Sequence, residues 1–203
     1  MQPHLTATEV RFCRHSEPVF EPVSLRLVGG CLMIVTGKNG SGKTTLMRLL
    51  SGILAPFSGS IERSGSVSFI GHRPGIKKEL SCLENLEFAS QFYARESESN
   101  GLTPHQALGK VGLGRHIRQL AGQLSAGQQR RLGLAKLLVA PTQFWLLDEP
   151  YTSLDVEGCD WVDALLEEHL SNGGGAIVSA HQRRPHVPQP MAEVVIHPWG
   201  QLA

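Results

Sequence analysis

The chain predicts an α/β domain with a mainly parallel core sheet. Three observations carry that reading. Short apolar runs alternate with helical patterns along most of the sequence. One such run, Leu32-Met33-Ile34-Val35, leads straight into the glycine-rich stretch Gly37 to Thr44 and then into a helical pattern. A second run, Phe144 to Leu147, ends in two carboxylates, Asp148 and Glu149.

Val23 to Val28 alternates loosely and reads as an early strand, and Leu32 to Val35 reads as a buried one. A helix begins over Thr45 to Leu50, and Gly52 and Pro56 end it. Ser66 to Ile70 is a further strand. From about Leu83 to Leu120 the character changes: Leu83, Leu86, Phe88, Ala89 and Phe92 recur at helical spacing, and a second helix starts near Thr103-Pro104. No strand pattern appears there, so the stretch reads as an inserted helical subdomain, about 80–140, within a single domain spanning 1–203. Gly127 to Leu138 is a helix with an apolar face. Phe144 to Leu147 and Ala176 to Ser179 are short strands flanking a helical stretch from Asp160 to His169. Gly173-Gly174-Gly175 separates that helix from the last of these strands. Pro185 to Pro190 is a loop, and Val194 to Ile196 an edge strand. There is no internal repeat.

The totals narrow the function classes. At 203 residues a single domain buries about 70% of the surface its unfolded form exposes, so it needs no staples. The 41% hydrophobic and 18% charged content is that of a globular chain. A formal net charge of +1 argues against a large nucleic-acid surface. Cys13, Cys31, Cys82 and Cys159 are never spaced C-x-x-C, which points to reduced thiols in a cytosolic protein. Met1 to Val10 lacks the basic and apolar regions of a signal peptide. The apolar stretch near Leu132 to Ala140 is interrupted by Lys136 and is too short to span a bilayer, so work at a membrane would go through a partner. The nine histidines are scattered and none lies in C-x-x-C-H, so they do not read as haem ligands. Trp145 reads as core, whereas Trp161 and Trp199 serve either packing or contact. The pairs Arg130-Arg131 and Arg183-Arg184 read as solvated surface.

Gly37-Lys38-Asn39-Gly40-Ser41-Gly42-Lys43-Thr44 is a complete G-x-x-x-x-G-K-[ST] phosphate loop in its strand–loop–helix context. Successive backbone N–H groups in such a loop point inward around an anion, and the glycines permit the tight turn. Lys43 would reach the β- and γ-phosphates, and the Thr44 hydroxyl would ligate Mg2+. Thr45 follows at the start of the helix. Asp148, at the end of an apolar strand, is placed to hold Mg2+ directly or through water, and Glu149 to accept a hydrogen bond from an attacking water. Leu124-Ser125-Ala126-Gly127-Gln128 opens a helix that Ser125 can cap.

These segments together resemble the nucleotide-binding subunit of ABC transporters. Gly37 to Thr44 resembles the family's Walker A motif, Asp148-Glu149 its Walker B, and Leu124 to Gln128 its signature. Ser153-Leu154-Asp155 resembles its D-loop and His181 its switch histidine. The matches keep the family's order from Gly37 to His181. The resemblance implies a P-loop NTPase fold of the ABC type, with an antiparallel β part beside the parallel core. It implies an ATPase that works with Mg2+ as a head-to-tail dimer of two copies. Each ATP would lie between the Walker motifs of one copy and Ser125, Ala126, Gly127 and Gln128 of the other. Lys43, Glu149 and His181 would form the catalytic set, with His181 touching the γ-phosphate in cis.

The sequence also departs from the family pattern. Ala126 stands where the signature usually has glycine, which asks the backbone there to avoid positive φ. His72, within Gly71-His72-Arg73-Pro74, stands where the family has its Q-loop glutamine. The residue that stacks on adenine falls between Phe12 and His15, with Phe12 and Arg14 both in place for it. Gly71 to Lys77, Leu83 to Leu86 and Leu124 to Arg131 together resemble one branch, the ATP-binding subunits of the cytochrome c biogenesis system. That resemblance implies an integral membrane permease and other haem-handling membrane proteins as partners. It implies a peripheral position on the cytoplasmic face of the inner membrane, with ATP driving haem export or release of a haem-loaded chaperone. The alternatives are an ABC exporter with other cargo, a soluble non-transport ABC ATPase, and a phosphate-loop kinase with a small-molecule acceptor.

Overall fold

A computed structural model describes residues 2–93, 101–180 and 183–200. The chain opens with β1 (His4–Arg11), β2 (Cys13–Arg14), β3 (Glu17–Pro18), β4 (Val23–Val28) and β5 (Leu32–Thr36). After β5 come α1 (Lys43–Leu50), β6 (Ser58–Ser64) and β7 (Val67–Ile70). Three helices then follow in succession: α2 (Cys82–Tyr93), α3 (Pro104–Lys110) and α4 (Ala126–Val139). The chain continues through β8 (Phe144–Asp148), α5 (Val156–Ser171), β9 (Gly175–Ser179) and β10 (Met191–Val195). It divides into two compact units, Met1–Phe69 with Gln143–Glu149 and Asp163–Ala203, and Ile70–Thr142 with Pro150–Val162.

The first unit holds a five-stranded sheet in the order β10-β5-β9-β8-β7. β5 pairs in parallel with both β9 and β10, and β8 pairs in parallel with β9. Every residue of β8 and β9 is buried, as expected for parallel strands covered on both faces. The α/β reading with a mainly parallel sheet therefore holds.

The same unit carries an antiparallel sheet in the order β4-β1-β6. Only β4 of this sheet is legible as a strand in the sequence. β1 carries an irregularity between Ala7 and Val10, where Glu9 takes a positive φ of 50°. That extra residue breaks the two-residue alternation between Ala7 and Val10. Across the same irregularity Gly59 lies so close to β1 that a Cβ there would meet the Glu9 carbonyl at 2.3 Å. β6 is Ser-Gly-Ser-Ile-Glu-Arg-Ser and mostly exposed, so it offers no apolar pattern to read. β2 and β3 form a hairpin around His15-Ser16, both at positive φ, the geometry of a type I′ turn.

Leu5, Val10, Phe20, Val35, Leu46, Leu49, Phe144 and Ile177 share one apolar core, which fixes α1 against the strands. Arg63 of β6 donates to the carbonyls of Leu49 and Leu50 at 2.5 and 2.7 Å. Leu50 thereby gains a donor for a carbonyl of the last turn of α1, and Leu49, which already accepts the Gly52 amide at 3.0 Å, gains a second.

The second unit has its own core, with Leu86, Leu108, Leu113, Leu132 and Ala135 among its members. Among the described residues between 83 and 120 there is no strand, in line with the helical reading. Thr103 and Gln106 close a capping box at the start of α3, and Pro104 occupies its first position. Buried Asn85 accepts from the Lys77 amide at 2.8 Å and donates to the Lys77 carbonyl at 2.9 Å, which fastens the approach to α2. α5 begins earlier than the sequence pattern indicates, because the Asp155 carboxylate accepts the Gly158 amide at 2.8 Å and so caps its first turn.

Candidate functional site

The phosphate loop lies between β5 and α1 in the first unit. Gly37, Gly40 and Gly42 take φ of 143°, 78° and 103°, a region that side chains disfavour. At Gly42 a Cβ would also meet the Phe20 ring at 2.6 Å, so both backbone and space require glycine there. Lys38, Asn39 and Gly40 are exposed, while Ser41, Lys43 and Thr45 are buried. α1 has no side-chain cap and no acidic residue in its first turn. Its opening amides are therefore available to an anion, and the helix dipole favours one there. The buried Ser41 hydroxyl has no hydrogen-bond partner among the described residues. An uncapped helix start and an unsatisfied buried hydroxyl in one loop fit a phosphate. Lys43 Nζ donates to the carbonyls of Gly37 at 2.7 Å and Lys38 at 3.1 Å.

The Thr44 hydroxyl donates to Asp148 Oδ2 at 2.6 Å, which joins the end of the loop to the end of β8. The Ser179 hydroxyl of β9 donates to Asp148 Oδ1, also at 2.6 Å. The Glu149 amide in turn donates to Ser179 Oγ at 2.9 Å. Asp148 is buried and pinned from two sides, and Glu149 takes a left-handed φ of 49°. A non-glycine residue in that region costs on the order of 1–3 kcal/mol and persists only where its surroundings enforce it. Sequence reasoning missed Ser179, and the signal was available: a hydroxyl at the end of a strand adjacent to β8 faces the same sheet end. No cluster of three or more His, Cys, Asp or Glu suited to a metal occurs among the described residues. Magnesium needs no such cluster, since it keeps waters and binds one or two protein oxygens plus substrate phosphates. The Thr44 and Asp148 oxygens fit that donor set.

The signature-like segment lies in the second unit. Ser125 Oγ accepts the Gln128 amide at 3.2 Å and Gln128 Oε1 accepts the Ser125 amide at 3.0 Å, a reciprocal capping box at the start of α4. Ala126 lies inside the helix with no positive φ, so alanine there carries no backbone strain. Gly127 does have a steric reason, because a Cβ would meet the Ser153 carbonyl at 2.8 Å. Ser153 itself has φ 67°. Asp155 pairs with Arg131 at 3.2 Å. The Gly158 amide, and after it Arg131, hold the Asp155 carboxyl below the usual carboxylate range.

The reading of Arg130 as solvated surface is corrected. Its side chain is 3% exposed. Its Nη1 donates to the Gly71 carbonyl at 2.7 Å and to the His72 carbonyl at 3.3 Å, and its Nε to the Pro150 carbonyl at 3.1 Å. Lys136 Nζ donates to the Pro74 and Gly75 carbonyls at 2.7 and 3.1 Å, and burial lowers its pKa to about 8. Four of these acceptors lie about sixty residues upstream and Pro150 twenty downstream, so no local pattern announces them. Arg183 pairs with Asp163 at 2.9 Å and Arg184 with Glu193 at 3.0 Å.

His72 is exposed on its loop. Phe12 packs against the core of the first unit, and Arg14 is exposed on β2. Trp145 is buried and stacks on His169 with ring centroids 3.7 Å apart. Trp161 packs against the core of the second unit and Trp199 is exposed. His181 lies outside the described residues. No helix among the described residues is long and apolar enough to cross a membrane.

The ABC transporter family pattern matches residues 20–152. Over 189 residues the chain is 42% identical to the cytochrome c biogenesis ATP-binding export protein CcmA of Xanthomonas campestris pv. campestris (strain 8004). That match covers 88% of this chain and 87% of the relative. It is 39% identical over 199 residues to the protein of the same name from Xylella fastidiosa (strain 9a5c), covering 93% and 88%. Among solved structures, the ATP-binding subunit of an ABC transporter superposes with a TM-score of 0.79 at 20% identity, over 95% of this chain and 85% of that one.

Proposed function

The chain belongs to the ABC transporter family, within it to the cytochrome c biogenesis ATP-binding export proteins, and on that premise we infer that it is the ATP-hydrolysing subunit of a membrane export complex for cytochrome c maturation. ATP binding and hydrolysis would be coupled to haem export or to release of a haem-loaded chaperone. The observation that supports this reading most directly is the junction of Thr44 with Asp148, which joins the phosphate loop to the strand that ends in Glu149.

The loop amides from Gly37 to Thr45 and the Lys43 ammonium bind the β- and γ-phosphates. To do so Lys43 exchanges its carbonyl acceptors for phosphate oxygens, which a flexible four-carbon stem allows. Thr44 and Asp148 would hold magnesium, which would supply positive charge beside the phosphates. Glu149 accepts the proton of the attacking water, held in its conformation by the Ser179 hydroxyl on its amide. His181 contacts the γ-phosphate in cis. Ser125, Ala126, Gly127 and Gln128 meet the phosphate bound to a second copy, and Asp155 lies at that dimer contact. Because Ser125 and Gln128 already satisfy each other's amides, Ser125 reaches a phosphate through its own hydroxyl proton. His72 takes the Q-loop position.

The complex comprises two copies of this chain, an integral membrane permease and other haem-handling membrane proteins. This subunit is peripheral, on the cytoplasmic face of the inner membrane. The test is Glu149→Gln, purified with its membrane partner. Hydrolysis is expected to fall by about a hundredfold or more, with an ATP-bound dimer accumulating. Turnover at the normal rate would remove Glu149 from the role of general base. Recovery of an unrelated permease would overturn the assignment to cytochrome c maturation.

A further inference from the structure

Arg130, Gly133 and Lys136 are spaced three apart and form one ridge of α4. The loop from Gly71 to Gly75 lies along that ridge in the same direction as the helix. Arg130 holds the carbonyls of Gly71 and His72, and Lys136 those of Pro74 and Gly75. Between them Gly133 leaves room for the chain, since a Cβ there would meet Pro74 Cβ at 2.3 Å. Arg130 also reaches the carbonyl of Pro150, the residue after Glu149. A buried guanidinium is unfavourable unless its donors are matched, so this seating is specific rather than slack.

We propose that Arg130 is a positioning residue for ATP hydrolysis, holding the His72 loop and the peptide after Glu149 on the helix that begins at Ser125. The proposal rests on the ATPase reading above. A shift of α4 then carries two segments with it, the loop through two side chains and one close contact, and Pro150 through Nε. The ridge therefore joins three segments that the sequence places far apart. Arginine suits the task because its planar fork can serve acceptors on different sides, whereas a lysine offers a single point of charge.

The test uses the complex, purified from solubilised membranes through a tag on this chain, with kcat and KM for ATP measured alongside the melting temperature. Arg130→Gln is expected to lower kcat by about tenfold to a hundredfold, the effect of misplacing catalytic groups without removing them. KM for ATP is expected to stay within about threefold, because no phosphate-binding group is touched. Arg130→Lys should recover part of the loss. Gly133→Ala displaces Pro74 without changing any charge and should show the same split, which keeps the proposal testable if Arg130→Gln does not fold. Unchanged kcat in a folded Arg130→Gln complex would overturn the proposal, as would a parallel decline of kcat, KM and melting temperature. Lys43→Ala separates the two readings. If it leaves turnover intact, the ATPase assignment itself is wrong. If it abolishes turnover while Arg130→Gln and Gly133→Ala keep full kcat, only the positioning role is lost.

Discussion

Lys43 and Lys136 make the same pair of hydrogen bonds in different regions. Each ammonium donates to two consecutive loop carbonyls, at 2.7 and 3.1 Å in both cases. Lys43 reaches back five and six residues to its own loop, whereas Lys136 reaches sixty-one and sixty-two. The first loop is shaped by residues within it: positive-φ glycines, a buried serine and a lysine that folds over it. The second is shaped by a helix distant in sequence. A self-contained loop can release its lysine to a ligand without losing its form. A loop fastened from outside loosens when its lysine leaves.

The largest effect that tests this contrast concerns turnover. Lys43→Ala is expected to reduce ATP hydrolysis by about a hundredfold or more, as removal of one preorganised donor typically does. Lys136→Met should reduce it by about tenfold or less, since it loosens one of several attachments. Equal losses in steady-state assays would erase the distinction between a ligand-directed lysine and a fastening one. A smaller effect concerns the two crowded glycines. Gly42→Ala adds a side chain at φ 103° and 2.6 Å from Phe20, and is expected to cost about 1–3 kcal/mol in urea unfolding. Gly133→Ala also clashes, but gains about 1 kcal/mol of helix propensity, so its net cost should be smaller. The reverse order would make the remote loop the stiffer of the two.

The smallest effect is a dependence on pH. Burial lowers the Lys136 pKa from 10.5 to about 8, so between those values the unfolded chain holds a proton that the folded chain releases. Stability from this group is full above pH 10.5 and is lost as pH falls through 8. Partial exposure limits the change to no more than about 2 kcal/mol. Subtracting the stability of Lys136→Met from that of the wild type at pH 8 and at pH 10 isolates it: the difference should be larger at pH 10, and a smaller difference at pH 10 than at pH 8 would reverse the sign.

The parallel sheet was legible because its strands are continuous apolar runs that end in chemistry. Phe144 to Leu147 could be read with its carboxylates, and Leu32 to Val35 with its glycine loop. The antiparallel sheet was mostly not legible. Glu9 interrupts the alternation of β1, and β6 has a single apolar residue, Ile61, in seven. The same division holds for the site. Thr44 and Asp148 each stand in a local motif, and a hydrogen bond joins them. The hydrogen bonds of Ser179 and Arg130 were not legible in the same way: that of Ser179 needs the knowledge that β9 lies beside β8, and those of Arg130 to Gly71 and His72 cross almost sixty residues.

The pairing of β5 has a consequence for the order of events during synthesis. Its two neighbours in the sheet are β9 and β10, so the strand leading into the phosphate loop gains its first sheet partner only at Gly175. About 140 residues separate Thr36 from that point. At roughly 5–20 residues per second, a ribosome takes on the order of ten seconds to add them. Through that interval the glycine loop is tethered to a strand with no ladder, and the nascent chain cannot hold a nucleotide in the geometry described above. Competence to bind arrives late, when β9 and then β10 reach the sheet.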